Sequence, residues 1–435
     1  MGNADQTSLA SLRALTRNLP NNGDTSLCSG DGGCSSAMRT RSGRVFRFGE
    51  VTLPASKSES NRALMIAAYG GFAPDFQNLS DSNDTQVLNE ALVSMSFQHG
   101  VVRGRESMHT KASFIDIADC GTAARFMTTY MACHEGEWLL TGTERMKQRP
   151  ILPLVKSLRE LGADIQCIEK EGCLPLRIKG KPITGGKAQI DMHQSSQFAS
   201  SLLLAAPMWP EGLEMDLVGE LTSLPYLEMT LTMMRHFGAE VERNGRTISV
   251  NPKPYQSNSF VVSGDWSAAS YWYEMAALSE ECEIRLRGLS LSSLQGDVVI
   301  MDWMKQLGVG TFVEKDAVVL RKIPFEKHSV CFDFAAHPDL YPTMAATCAG
   351  LNVDATFTGL DNLALKESDR VGAMQAELSK LGSRPLRFCS HNDHRIVMAL
   401  APLALLYGSI SFDHPEVVEK SYPGFWSDCP FLQSL

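Results

Sequence analysis

Ser157-Leu-Arg-Glu-Leu-Gly-Ala163 decides the fold, because the chain writes the phrase again and again. It returns as Met233-Met-Arg-His-Phe-Gly-Ala239, Met304-Lys-Gln-Leu-Gly-Val309 and Glu377-Leu-Ser-Lys-Leu-Gly-Ser383. Each reads as the end of an amphipathic helix closed by glycine at the C′ position, where positive φ costs least. In three of the four an alternating strand pattern follows, at 164–169, 240–243 and 310–314. The closing glycines are Gly162, Gly238, Gly308 and Gly382, at steps of 76, 70 and 74 residues. One such cap is commonplace; four at nearly even spacing predict a duplicated α/β unit of about 70 residues, roughly six of which fill the chain after residue 43. A Pro- and Gly-rich connector at 251–264 separates two groups of three.

Composition bounds the rest. At 435 residues the chain is too long for one ordinary core. An apolar share of 44% and a charged share of 20% fit a soluble globular protein. The formal net charge of -9 argues against the broad basic surface that nucleic acid requires. It also makes each local gathering of Lys and Arg more telling. The 11 cysteines are odd in number and include no C-x-x-C pair, which suits a reducing compartment. No apolar run approaches the ~18 residues of a membrane span, and no secretory signal leads the chain. Residues 1–43 are rich in Ser, Asn, Gly and Arg; they read as a disordered extension, or as an over-called start with Met38 as initiator.

Against that acidic background, cations gather at helix starts. Leu53-Pro-Ala-Ser-Lys-Ser-Glu-Ser-Asn-Arg62 passes from a short strand into an apolar helix, with Ser56 and Ser58 as capping residues and Lys57 and Arg62 beside them. The free amides of a helix start attract anions through hydrogen bonds and the macrodipole. The pattern recurs at Asp119-Cys-Gly-Thr-Ala-Ala-Arg125, Gln194-Ser-Ser-Gln-Phe198, Leu365-Lys-Glu-Ser-Asp-Arg370 and His391-Asn-Asp-His-Arg395, the last opening a helix expected over 396–407. Arg145-Met-Lys-Gln-Arg149-Pro150 and Glu419-Lys420-Ser-Tyr-Pro423 are cationic phrases placed off helix starts. Taken singly, Ser-Ser-Gln is also plain capping, Asn-Asp-His-Arg a solvated surface cap, and His394 a structural hydrogen-bonder. Taken together they predict helix starts converging on one crevice built for polyanions. No metal-ligand spacing, no Walker loop and no Gly-x-Gly-x-x-Gly after a strand is present, so neither a metal nor a nucleotide cofactor is expected.

These phrases, in this order, resemble the enolpyruvyl transferase family. The matching pieces also include Leu-x-Ser223-x-Pro-Tyr226, Gly264-Asp-x-Ser-x-Ala-Ser-Tyr271, Gln295-Gly-Asp297 and Lys420-x-x-Pro423, and they run from about residue 44 to the C-terminus. The resemblance implies an α/β, two-domain fold, an inside-out α/β barrel of about six βαβαββ repeats. It implies a first domain at 55–262, a second at 44–54 plus 263–435, and an active site between them. It also implies the reaction: the 5-hydroxyl of shikimate 3-phosphate adds to C2 of phosphoenolpyruvate, and phosphate leaves. The sister branch acting on a UDP-amino sugar would carry Lys-Asn-Ala in place of Lys57-Ser-Glu-Ser-Asn-Arg62 and a Cys-bearing catalytic loop.

By the same resemblance, Lys57, Gly121, Arg149, Gln197, Arg370, Arg395 and Lys420 bind phosphoenolpyruvate. Lys57, Ser58, Arg62, Ser195, Ser196, Gln197, Ser223, Tyr226, Asp339, Asn362 and Lys366 bind shikimate 3-phosphate. Arg suits the planar, bidentate recognition of carboxylate and phosphate. Addition and elimination require protons moved at C3 of the enol and at the attacking hydroxyl. Asp339 is assigned the hydroxyl, and Glu367 with Lys57 or Lys420 the carbon. No cofactor is needed, and a cytoplasmic monomer is expected. Three departures stand out. The segments at 100–119 and 382–392 are short, so that the last repeat looks trimmed, and Cys120 beside Gly121 would be open to alkylation if it faced the crevice.

Overall fold

A computed structural model of the chain describes residues 45–73, 75–98 and 113–433. The expected extension at 1–43 and most of the short segment at 100–119 lie outside the described residues.

Two kinds of local sequence build the architecture. Helices such as Gln197–Ala205 and Trp266–Leu278 are apolar on nearly every face. Such helices are stable only when surrounded, and all of Trp266–Leu278 is buried. Strands such as Leu213–Val218 and Glu281–Arg287 instead alternate buried and solvent-facing residues, as one-sided sheets do. Helices therefore form the interior and sheets the outer shell.

Three four-stranded sheets share one topology. Ser113–Asp116 runs parallel to Gly136–Thr141, and the hairpin Asp164–Cys167/Leu176–Gly180 adds antiparallel strands on one side. Gly186–Asp191, Leu213–Val218 and the hairpin Val241–Asn244/Thr247–Val250 repeat the arrangement. So do Val45–Thr52, Glu281–Arg287 and the hairpin Val309–Glu314/Ala317–Lys322. Three further sheets hold only a parallel pair among the described residues: Phe76–Gln77 with Phe260–Val261, Val330–Asp333 with Ala355–Thr358, and Leu386–Phe388 with Ile410–Phe412. The shortening at 382–392 is visible here. After the helix Arg370–Leu378 the chain passes straight into Leu386–Phe388, which opens the next parallel pair rather than a hairpin.

Buried apolar residues fall into two cores. One holds residues between Ala63 and Tyr255; the other holds Val51, Leu53 and residues from Trp266 onward. The chain crosses between them twice, and the crossing segments touch: Ala55 bridges Gly264, Ser56 N–H donates to Ser263 O at 2.8 Å, and Asp265 N–H to Pro54 O at 2.9 Å. The second half thereby takes the strand Val45–Thr52 from before the first crossing, while Phe260–Val261, just ahead of the second crossing, pairs within the first half.

Local expectations need correction in four places. Gly162 and Gly238 do follow the helix C-caps, with φ of +94° and +86°. Gly308 and Gly382 stand further on, because their helices stop at Lys305 and Leu378. The helix expected over 396–407 begins at His394 and gives way to a 3₁₀ turn at Ala401–Leu403. There Pro402 removes an amide donor and crowds the preceding turn. The Arg145 phrase lies on a short helix, Glu144–Gln148, capped by the Thr143 hydroxyl.

Candidate active site

The crevice between the cores is open to solvent and lined from both sides. Lys57, Gly121, Gln197, Arg370 and His394, all on its wall, are each the first residue of a helix. Convergent helix starts bring free amides and positive dipole ends into one space. Local chemistry fixes those starts: Ser56 Oγ accepts from Glu59 N–H at 3.3 Å, and Asp393 Oδ1 from Arg395 N–H at 3.0 Å. Caps of this kind are worth ~1 kcal/mol each.

The wall from the first half is rich in neutral donors and carries Ser58, Arg62, Ser195, Ser196, Gln197, Ser223 and Tyr226. Gln197 Nε2 donates to Thr122 Oγ1 at 3.1 Å. Arg62 is buried and donates to Thr230 Oγ1 at 2.7 Å and to the carbonyls of Ser58 and Tyr226 at 2.9 and 3.1 Å. All three acceptors are neutral, and burial lowers its pKa to about 10. Gly121 is where backbone must come close to a guanidinium: a Cβ there would lie 2.7 Å from Arg149 Nη1.

The wall from the second half is a lattice of opposite charges. Arg370 is 1% exposed; it donates to Asp339 Oδ1 at 2.8 Å, Glu367 Oε2 at 2.8 Å and Asp393 Oδ2 at 2.9 Å. Arg395 Nη2 donates to Asp339 Oδ2 at 2.8 Å. Burial alone would raise the Asp339 pKa, but Arg395 and Arg370 hold it well below the carboxylate range. Burial opposes the Glu367 charge too, yet Arg149 and Arg370 keep it ionised. Lys366, under the same burial, is lowered to about 8.

Asp84 ties the halves together. Its carboxylate accepts from Lys57 Nζ at 2.9 Å and from Lys420 Nζ at 2.7 Å. Burial would raise its pKa, and the two ammonium groups outweigh that and lower it. Lys420, which comes from the second half, also reaches Asp119 Oδ1 at 3.0 Å. Tyr226 OH crosses in the other direction to Asp339 Oδ2 at 3.2 Å.

Most of the residues expected from sequence thus meet in one crevice. Lys420 and Asn362 do not line its wall. Lys420 reaches it through Asp84, and Asn362 is buried behind it with neither amide atom hydrogen-bonded. Sequence reasoning missed Asp84, which opens the helix Asn83–Gln98; it carries an acid where cations were the signal sought. His394 does not act as a structural hydrogen-bonder. Neither ring nitrogen makes a hydrogen bond among the described residues, Nδ1 standing 3.5 Å from Asp393 Oδ1, and burial, reinforced by Lys57 and Arg395, holds the ring neutral. Cys120 does not face the crevice: it is fully buried, caps Ala123 N–H through Sγ at 3.3 Å, and burial pushes its thiol up to about 12. Alkylation is therefore not expected.

Comparison with known proteins bears on family and fold. The profile of the family described as EPSP synthase (3-phosphoshikimate 1-carboxyvinyltransferase) matches residues 47–429. A 3-phosphoshikimate 1-carboxyvinyltransferase of Bacteroides fragilis (strain YCH46) is 42% identical over 399 residues, covering 87% of this chain and 93% of the relative. One from Sulfurovum sp. (strain NBC37-1) is 35% identical over 408 residues, covering 87% and 95%. Among solved structures, EPSP synthase from Acinetobacter baumannii superposes with a TM-score of 0.67 at 22% identity, covering 90% of this chain and 96% of that one. The enolpyruvyl transferase NikO from Streptomyces tendae gives 0.61 at 14% identity with the same coverage. At such identities these structures bear on the fold alone.

Proposed function

This chain belongs to the EPSP synthase family, and from that membership we propose how its crevice performs the family's reaction. It transfers the enolpyruvyl group of phosphoenolpyruvate to the 5-hydroxyl of shikimate 3-phosphate and releases phosphate, a step of aromatic amino-acid biosynthesis.

In our reading Arg149, Arg370 and Arg395 clamp phosphoenolpyruvate, with the Gly121 amide, Gln197, Lys57 and Lys420 around it. Ser58, Arg62, Ser195, Ser196, Ser223, Tyr226, Asp339, Asn362 and Lys366 hold shikimate 3-phosphate, with Lys57 and Gln197 shared between the two ligands. The observation that carries this reading is the convergence of five helix starts, two bearing cations, on one space. Its cations are matched to internal carboxylates that an anionic ligand can displace. Asp339 takes the proton of the attacking hydroxyl. Gripped by Arg370 and Arg395 it is a poor base, but a substrate anion competing for those guanidiniums weakens the field and raises its pKa. Glu367 with Lys57 or Lys420 delivers a proton to C3 and, in elimination, takes one back from the new methyl group. The buried His394 ring, its pKa lowered by burial, supplies a neutral neighbour for that exchange.

The two bodies, 55–262 and 44–54 with 263–435, close on the ligands as a cytoplasmic monomer. The separate cores and the two touching crossovers support that division. The direct test is phosphate release from phosphoenolpyruvate with shikimate 3-phosphate or a UDP-amino sugar as acceptor. Release is expected only with the first; silence there defeats the assignment.

A further inference from the structure

Arg145 is exposed, lies outside the substrate wall, and nonetheless makes three contacts across the crevice. Its Nε donates to Glu367 O at 3.0 Å, and its Nη2 to Lys366 O at 2.8 Å and Ala364 O at 3.1 Å. We propose that Arg145 is the latch of the closed crevice, a positioning residue that grips the backbone of 364–367 and so sets Lys366 and Glu367 in register with the first half.

Both ends of the contact are suited to this. The arm rises from a stiff platform. Thr143 Oγ1 caps the helix Glu144–Gln148 by accepting from Met146 N–H at 3.3 Å, and Met146 is buried in the first core. Beyond the helix, Arg125 Nη2 holds Pro150 O at 2.9 Å. The receiving carbonyls sit at and just past the 3₁₀ turn Leu363–Leu365, ahead of the helix that begins at Arg370. Carbonyls at a helix end need partners from outside the helix. A guanidinium presents several donors in a planar fork, so one side chain can serve separated acceptors; an ammonium offers a single point. Arg145 lies in the short helix and Arg149 caps its C-terminal end. Arg145 takes the backbone of 364–367 while Arg149 Nη1 meets Glu367 Oε1 at 3.4 Å. From the first half residue 367 is thus held twice, once by its main chain and once by its carboxylate. Because the acceptors are backbone carbonyls, the latch takes no carboxylate from the charge lattice that meets the substrate anions. It biases the closed arrangement, and apparent affinity scales with the population of that arrangement.

The inference rests on the enolpyruvyl-transfer reading, and the test separates the two. Wild type, Arg145→Ala and Arg145→Lys are compared in phosphate release with phosphoenolpyruvate and shikimate 3-phosphate. Thermal unfolding and small-angle scattering, with and without shikimate 3-phosphate, accompany the kinetics. If wild type releases no phosphate the functional reading fails, and scattering still reports on the latch. With wild type active, Arg145→Ala is expected to lose about tenfold or more in kcat/KM, to raise KM for both substrates, and to compact less with shikimate 3-phosphate. Its unfolding temperature is expected to match wild type, as a merely structural role would not allow. Arg145→Lys is expected to recover only part of the loss. Wild-type kcat/KM and compaction in Arg145→Ala, or full recovery in Arg145→Lys, would overturn the latch.

Discussion

The two walls of the crevice solve the same problem by different means. The first half meets anions with hydroxyls, an amide side chain and helix starts, and its buried Arg62 is bonded only to neutral oxygens. The second half meets them with a lattice in which Arg370 alone contacts Asp339, Glu367 and Asp393. Neutral donors cost little to keep waiting, because none has to break an ion pair before it can bind. A charge lattice must exchange partners when a ligand arrives, and that exchange is what can move a carboxylate pKa at the moment a base is needed. The comparison assigns recognition mainly to the first wall and proton transfer mainly to the second.

The severest challenge to this division is Arg370→Met. Removing one member of a buried, multiply paired network leaves uncompensated carboxylates and costs about 3–5 kcal/mol. Both a large fall in unfolding temperature and complete loss of turnover are expected; a stable variant would show that the lattice is not a unit. Lys57→Met is expected to abolish turnover, by about a thousandfold or more, while circular dichroism and unfolding temperature stay near wild type. Turnover surviving within a few-fold would remove Lys57 from the chemistry. Gly121→Ala probes the first wall more gently. A methyl placed against the Arg149 guanidinium should displace it, raising KM for phosphoenolpyruvate about tenfold with a smaller change for shikimate 3-phosphate. Equal changes for both substrates would redraw the border between the two subsites. The smallest effect concerns pH. Lys366, lowered to about 8, is cationic below that value and neutral above it. KM for shikimate 3-phosphate should therefore rise severalfold as pH climbs from 7 to 9, and Lys366→Arg should flatten the rise. A flat wild-type profile would place Lys366 away from the phosphate.

Much of this was legible in the residues. The Gly-closed helices announced the repeat, and ordered phrases such as Lys57-Ser58…Arg62 and Lys366-Glu-Ser-Asp-Arg370 announced the crevice. Asp84 was not legible, because a lone acid at a helix start has no meaning until two lysines from distant segments are seen to share it. Which way Cys120 faces was not legible for a related reason. Its neighbour Gly121 faces the crevice, yet one residue of helical rotation turns the thiol into the core. The return of the first strand to the second half was equally hidden, since nothing in Val45–Thr52 says that its partner is Glu281–Arg287.

By itself, then, the sequence determined the unit of the fold, its repetition, and the chemical kind of the ligand. Helix caps, strand alternation and local charge are properties of neighbours in the chain. Only the tertiary structure decided which carboxylate quiets which cation, which side chains cross the crevice, and that Arg145 ends on the backbone of 364–367. Those depend on distances between residues tens to hundreds of positions apart. A Coulomb interaction or a hydrogen bond answers to that separation in space and not to position along the chain.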